Sequence, residues 1–348
     1  MTILPTKSLG RTAVQVSVLG YGAASLGNLY RTQTDEGAAA SVQAALAAGI
    51  TYFDTAPRYG HGMSERRLGA SLPADAVIST KVGRILTPID PPPPNTTRHG
   101  FVDGDPFEEH FDYSYDGIMR SFEASLKRLK RERIDILLAH DIGRLTHAEA
   151  HDTLFAQFLT GGLKAMQALK AQGLVQAIGL GVNEAGVCNE VLDHADMDAF
   201  LLAGRYTLLE QGPLDQFLPR CVERGASIIL GGPFNSGILI DGVRDGAPPP
   251  MYDYAPAPAP VVARVKALQT VCAAHGVPLA AAAMQFPLAH PAVASTIPGM
   301  GRPERVQQNL DLLRFPIPAD LWADMKAQGL LHPAAPVPDA VLSESTGT

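Results

Sequence analysis

Thr51-Tyr-Phe-Asp-Thr-Ala-Pro-Arg-Tyr59 is the stretch from which the rest of the chain can be read. Its apolar and β-branched residues through Phe53 read as a short buried strand, and Asp54 interrupts them at the end, where an unpaired carboxylate is costly to bury. A cation is therefore expected opposite it. Pro57 stops strand or helix from continuing, which puts Tyr59 on a loop at the carboxyl end of that strand. That is the end at which α/β barrels keep their chemistry. One β-unit later, Ala76-Val-Ile-Ser-Thr-Lys81-Val82 is a second apolar run closing on a charge, and Ile134-Asp-Ile-Leu-Leu-Ala-His140-Asp141 is a third, closing on an imidazole. Packing alone does not require three successive buried strands to end in titratable side chains.

Outward from these three runs, strand and helix signals alternate. The first twenty residues read as a hairpin turning at Leu9-Gly10-Arg11-Thr12 and running into a strand near Val16 to Gly20. Thr34 caps an Ala-rich helix that carries Asp35 and Glu36 in its first turn and ends at Gly49. Further helices are predicted over 64–72, 115–130, 162–172, 185–194, 214–224, 261–275, 279–286 and 303–312. Strands are predicted over 175–181, 199–203, 227–230 and 293–297. Eight strand signals, each followed by a helical one, predict a closed (β/α)8 TIM barrel over residues 1–330 with an N-terminal hairpin, and a loose Pro-rich tail over 331–348. Two connections are long. Residues 84–114, roughly thirty of them, leave the strand that carries Lys81 and so overhang the proposed chemistry, as lids and binding loops do. The second, from Gly231 to Pro260, includes an Asp241–Gly246 portion with the composition of a disordered segment.

A length of 348 residues fits two small domains or one large barrel, 46% hydrophobic content is ample for a core, and the formal charge is −7. The one dense basic run, Lys127 to Arg133, closes a helix where cations complement the dipole, so nucleic-acid binding is not expected. Cys188, Cys221 and Cys272 lack CxxC spacing and suit free core thiols in a reducing cytosol. The N-terminus lacks a signal-peptide pattern and no apolar run reaches membrane-spanning length, so a cytoplasmic protein is expected, without a membrane partner, monomeric or a small homo-oligomer.

Asp54-Thr-Ala-Pro-Arg-Tyr59, Ser79-Thr-Lys81-Val82, the Asp-x-Leu-Leu-x-His ending at His140, and Ile297-Pro-Gly-x-x-Arg302-x-x-Arg305-Val-x-x-Asn309 together resemble the aldo-keto reductases in order and spacing over residues 7–330. The resemblance implies a β/α barrel that binds a nicotinamide dinucleotide without a Rossmann fold and moves a hydride to or from a carbonyl carbon. It implies a catalytic tetrad of Asp54, Tyr59, Lys81 and His140. It also implies cofactor contacts at Gly22 beneath the nicotinamide, at Asn183 for its carboxamide, and at Gly299, Arg302, Arg305, Gln308 and Asn309 around the adenosine end. Ala203, Gly231 and Val182 depart from the side chains common at those positions. Gly299 replaces a lysine frequent in NADP-preferring members, while Arg302 and Arg305 suit a 2′-phosphate. NADP or NAD is expected, NADP slightly ahead.

Elementary chemistry agrees with these roles. A phenol, with a pKa near 10, needs a neighbouring cation to exchange a proton near neutrality, and Lys81 is that cation. Asp54 keeps the ammonium charged. His140 is placed to hydrogen-bond the substrate oxygen and orient it. Structural readings exist for each group: Asp54 and Lys81 as an ion pair, His140 as a core histidine. The glycines at 20, 22 and 27 have neither the spacing nor the following helix of a dinucleotide fingerprint. His147 and His151 lack a third ligand, so no metal is expected. The polar residues of the long loop, Asn95 to Asp105, favour a polyhydroxylated substrate over a lipid aldehyde. That loop and its surroundings are similar to the branch containing L-fucose, D-threo-aldose and L-galactose 1-dehydrogenases and pyridoxal 4-dehydrogenases. Oxidation of the anomeric hydroxyl of a cyclic aldose (L-fucose, L-galactose or D-arabinose type) to the lactone follows, with Arg98, His99 and Arg205 as sugar contacts. The alternatives are a pyridoxal 4-dehydrogenase, a general aldehyde reductase, and a cofactor-sensing subunit of an ion channel.

Overall fold

The computed structural model describes residues 4–338 apart from Asp245 and Tyr254. Eight parallel strands form one sheet in sequential order: β1 (Tyr21–Gly22), β2 (Tyr52–Asp54), β3 (Val77–Val82), β4 (Ile134–His140), β5 (Val175–Val182), β6 (Ala199–Ala203), β7 (Ser227–Gly231) and β8 (Val293–Ile297). The sheet curls until its edges meet. Gly20 N donates to Thr296 O at 2.9 Å, Thr296 N to Val18 O at 2.9 Å and Gly22 N to Pro298 O at 3.1 Å. This is a (β/α)8 barrel with helices packed around it.

The two-residue period of the strands sorts side chains to opposite faces. Phe53, Ile78, Leu137, Ala139, Leu180, Phe200, Leu202 and Leu230 face the helices in one large core. Tyr52, Ile136, Leu138, Ala177, Ala199, Leu201, Ile229 and Ile297 fill the barrel interior together with Leu9, Val14 and Val16 of the hairpin. The hairpin, Thr6–Ser8 paired with Gln15–Ser17, therefore plugs one end. The same alternation carries upward. Asp54 lies two residues beyond Tyr52, Lys81 two beyond Ser79 and His140 two beyond Leu138, so the polar ends of three strands converge on the open mouth.

Several boundaries differ from the sequence expectation. The first barrel strand is Tyr21–Gly22 and not 16–20, because Gln15–Ser17 belongs to the plug and the chain must cross from hairpin to wall before it can pair with β2. The connection after β3 is not irregular. Arg84–Pro88 pairs with Phe107–Phe111 as an antiparallel ribbon, and Thr97–Arg98 with Phe101–Val102 at its tip. Between β4 and the helix Leu163–Ala171 lie further helical turns over 144–162 that the sequence reading passed over. Residues 231–260 include a short helix, Ile238–Asp241, and a two-residue ribbon, Met251–Tyr252 with Ala255–Pro256. The 241–246 portion is described except for Asp245. Of the tail expected to be loose, Leu331 and Ala335 are buried and His332 N donates to Gln211 Oε1 at 2.6 Å, so apolar side chains tie its first residues down. Residues 339–348 lie outside the described residues.

Candidate active site

At the mouth, Lys81 Nζ donates to both Asp54 oxygens, at 3.0 and 2.9 Å, to Thr55 O at 2.8 Å and to Tyr59 Oη at 3.2 Å. Asp54 Oδ1 also accepts from Ser79 Oγ at 2.7 Å, across the register that sets Asp54 opposite Ser79. Lys81 and Asp54 are buried and Tyr59 is half-buried. Room for the lysine stem comes from Gly181 on β5, where a Cβ would lie 3.1 Å from Lys81 Cε. The Tyr59 loop is seated by another close approach: a Cβ on Gly27 would lie 2.4 Å from the Tyr59 carbonyl carbon. His140 completes the group, its ring edge-on to Tyr59 with centroids 6.2 Å apart.

Burial raises the Asp54 pKa against the pull of Lys81, and the other groups shift in turn. Burial works against the Lys81 ammonium, yet the Asp54 carboxylate and the Tyr59 oxygen hold its pKa above the ordinary value. His140 is pushed well below the usual range by burial and by Arg84, Lys81 and Arg58, so its imidazole is neutral. Tyr59 has the expected cation beside it, and its pKa is still raised. Burial raises its pKa, the Lys81 charge opposes that, Asp54 and Asp141 reinforce it, and the net direction is upward. Lys81 limits the rise without reversing it, because burial is the larger effect.

A second set of charges, absent from the sequence reading, lies beside the first. Arg84 donates to Glu109 Oε1 at 2.8 Å and to Asp141 Oδ2 at 2.6 Å, and its guanidinium covers the Phe111 ring at 4.4 Å. Arg58 pairs with the same Glu109 oxygen. Asp141 Oδ1 accepts from Asn183 Nδ2 at 3.2 Å. The only available signal was Phe107-Glu-Glu-His-Phe111, whose alternation puts Glu109 on one face with two aromatics.

Of the residues expected around a dinucleotide, Asn183 bonds Asp141 beside His140, while Gly22 and Gly299 lie where the first and last strands meet. Gly22 bridges to Gly299 in parallel fashion, and a Cβ on Gly22 would lie 2.8 Å from Ile297 O, so backbone forms the floor there. A Cβ on Gly299 would meet nothing within 4 Å, so space opens above it. Arg302 is the N-cap of the helix Pro303–Arg314, and Arg302, Arg305 and Gln308 are exposed while Asn309 is buried. Ser25 Oγ, against Gly301, is buried without a hydrogen-bond partner. A helix N-terminus flanked by two exposed guanidinium groups, beside an orphaned hydroxyl, fits a phosphate-bearing cofactor.

The expected sugar contacts are placed differently. Arg98 donates to the main-chain oxygens of Gly104, Asp105 and Phe107, which holds the ribbon tip together and leaves its guanidinium turned inward on its own loop. His99 meets Glu108 at 2.8 Å. Arg205 Nε donates to Asn183 O at 2.7 Å and its Nη1 pairs with Asp253 at 2.9 Å. Phe101, which the sequence reading did not single out, is buried beside Tyr59 with centroids 6.1 Å apart. His147 and His151 have separate partners, Tyr113 and Glu190.

Comparison with known proteins identifies the family. The Aldo/keto reductase family model matches residues 18–328. The chain is 45% identical to a pyridoxal 4-dehydrogenase of Microbacterium luteolum, covering 93% of this chain and 97% of that protein. It is 40% identical to a D-threo-aldose 1-dehydrogenase of a Pseudomonas species, covering 91% and 95%. Among solved structures, an aldo-keto reductase from Bacillus halodurans in its holo form superposes with a TM-score of 0.71 at 23% identity, covering 97% of this chain and 98% of that one. The chain belongs to the aldo/keto reductase family, whose members are NAD(P)H-dependent oxidoreductases.

Proposed function

We propose that this protein oxidises the hydroxyl of a cyclic hemiacetal to the lactone, with NADP or NAD as hydride acceptor and an aldose as substrate. The observation that carries the reading is the Tyr59 oxygen, held 3.2 Å from the Lys81 ammonium at the barrel mouth beside a neutral His140. When bound, the nicotinamide accepts the hydride released from the hemiacetal carbon. As a phenolate, Tyr59 takes the hydroxyl proton, and the Lys81 charge stabilises that anion. Asp54 holds the ammonium in place by two hydrogen bonds. His140, unable to ionise in its buried and cationic surroundings, donates a hydrogen bond to the reacting oxygen and orients it. In the reverse direction Tyr59 returns the proton. Arg302 and Arg305 would hold cofactor phosphate and Asn183 its carboxamide.

Pyridoxal is the second reading, supported by the 45% identity to a pyridoxal 4-dehydrogenase and by Phe101 beside Tyr59, which suits an aromatic substrate. The two readings share their chemistry. The pyridoxal aldehyde sits next to a hydroxymethyl group and closes on it to a hemiacetal, just as an aldose closes on its own hydroxyl. Initial rates of nicotinamide reduction with L-fucose, L-galactose, D-arabinose and pyridoxal, with lactone identified as product, separate them. Pyridoxal 5′-phosphate, whose esterified hydroxymethyl cannot close, should not turn over. Equal rates with pyridoxal 5′-phosphate, or none with any hemiacetal, would end the reading.

A further inference from the structure

Asp141 ties together three strand ends. It follows His140 in the left-handed region, at φ 50°, and is 8% exposed. Its main-chain N–H donates to Gly181 O on β5 at 2.9 Å. Its Oδ2 accepts from Arg84 and lies 3.4 Å from His140 Nε2, while its Oδ1 accepts from the Asn183 amide. Arg84 comes from the ribbon, where Leu86 faces Glu109 and Arg84 faces Phe111. The Arg84 and Glu109 side chains are each 7% exposed, so the pair is a buried one whose members are costly to leave alone. A side-chain amide can present either its oxygen or its nitrogen to a ligand. A carboxylate that accepts from the NH2 selects the orientation.

We infer that Arg84 is a positioning residue for the nicotinamide half of the cofactor. Carried by the ribbon, it holds Asp141, and Asp141 in turn sets the Asn183 amide. The docked ribbon thereby completes a cofactor grip built on two other strand ends. The inference rests on the family's nicotinamide cofactor and on the place of Asn183, and not on which hemiacetal is oxidised.

Titration calorimetry tests it with two ligands: the whole oxidised dinucleotide the wild type prefers, and the matching ADP-ribose fragment (2′-phosphorylated for NADP) that lacks nicotinamide. Arg84→Met and Asp141→Asn should weaken the dinucleotide about tenfold, on the order of 1.4 kcal/mol, and leave the fragment within about twofold of wild type. Arg84→Lys should recover part of the loss. Equal loss of both ligands, or unchanged binding of both, would overturn the inference. If Arg84→Met does not fold, Asp141→Asn, which keeps the side-chain shape, decides alone. Absence of hemiacetal turnover in a wild type that shows this binding pattern would sink the substrate reading and leave the inference standing.

Discussion

Tyr59 is subject to two opposed influences, burial raising its pKa and Lys81 lowering it, with burial ahead. The phenolate that accepts a proton is therefore scarce at neutral pH. Oxidation should speed up as pH rises through the neutral and alkaline range while reduction slows, and pH profiles of kcat in both directions check this. Tyr59→Phe should bind cofactor normally and lose turnover by orders of magnitude; near-normal kcat would remove the proton-transfer role. His61, two residues on, is fully buried at φ 56°, and burial and the Arg98 charge push its pKa from 6.5 down to about 4. Its folded value lies below its unfolded one, so the unfolded chain binds the proton first. Stability is full above pH 6.5 and falls as pH drops toward 4. Thermal unfolding against pH should show that slope, and His61→Asn should reduce it. His290, also pushed to about 4, should keep part of it. At this scale the meeting of Asp54, Tyr59, Lys81 and His140 was legible, because strand-end charges stand out against apolar runs. The net direction of the Tyr59 shift was not, since it depends on how dry the pocket is.

The ribbon after β3 is the element in which sequence and structure differ most. Its run of prolines and polar residues reads as an open loop facing substrate. Folding instead turns Arg98 onto the ribbon's own carbonyls, pairs His99 with Glu108, and sends Arg84 and Glu109 into the site. Short strands with little apolar periodicity carry almost no local signal, and their pairing is set by contacts across about twenty residues of chain. Phe101 at the tip is 3% exposed yet belongs to neither hydrophobic core, covering Tyr59 and His61 instead. Phe101→Ala should therefore cost well under the roughly 3–5 kcal/mol of a core Phe→Ala, while lowering kcat/KM at least about tenfold by admitting water to the phenol. Denaturant unfolding and steady-state kinetics on the same preparation measure both. A stability loss of core size would mean that the tip is a structural element.

For the molecule as a whole, a barrel closed between Gly20 and Thr296 brings the first and last strands together, and with them Gly22, Ser25 and Gly299. A ligand lying across that seam should stabilise the fold as a unit, by about 2.7 kcal/mol at a hundredfold excess over Kd. Thermal unfolding with equal concentrations of NADP and NAD should show a larger rise for the preferred cofactor. If Arg302 and Arg305 bind a 2′-phosphate, NADP gives the larger rise, and the difference should disappear in Arg305→Ala. The sequence by itself determined seven of the eight barrel strands, the N-terminal hairpin and the identities of the four groups at the mouth. Each of these is written in local periodicity or in a charge closing an apolar run, and needs no knowledge of distant partners. Tertiary structure alone decided which charges meet around Arg84. Arg58, Arg84, Glu109, Asp141 and Asn183 come from four separate segments, and their pairing follows from barrel closure and ribbon docking, which bring into hydrogen-bond range groups that the chain keeps far apart.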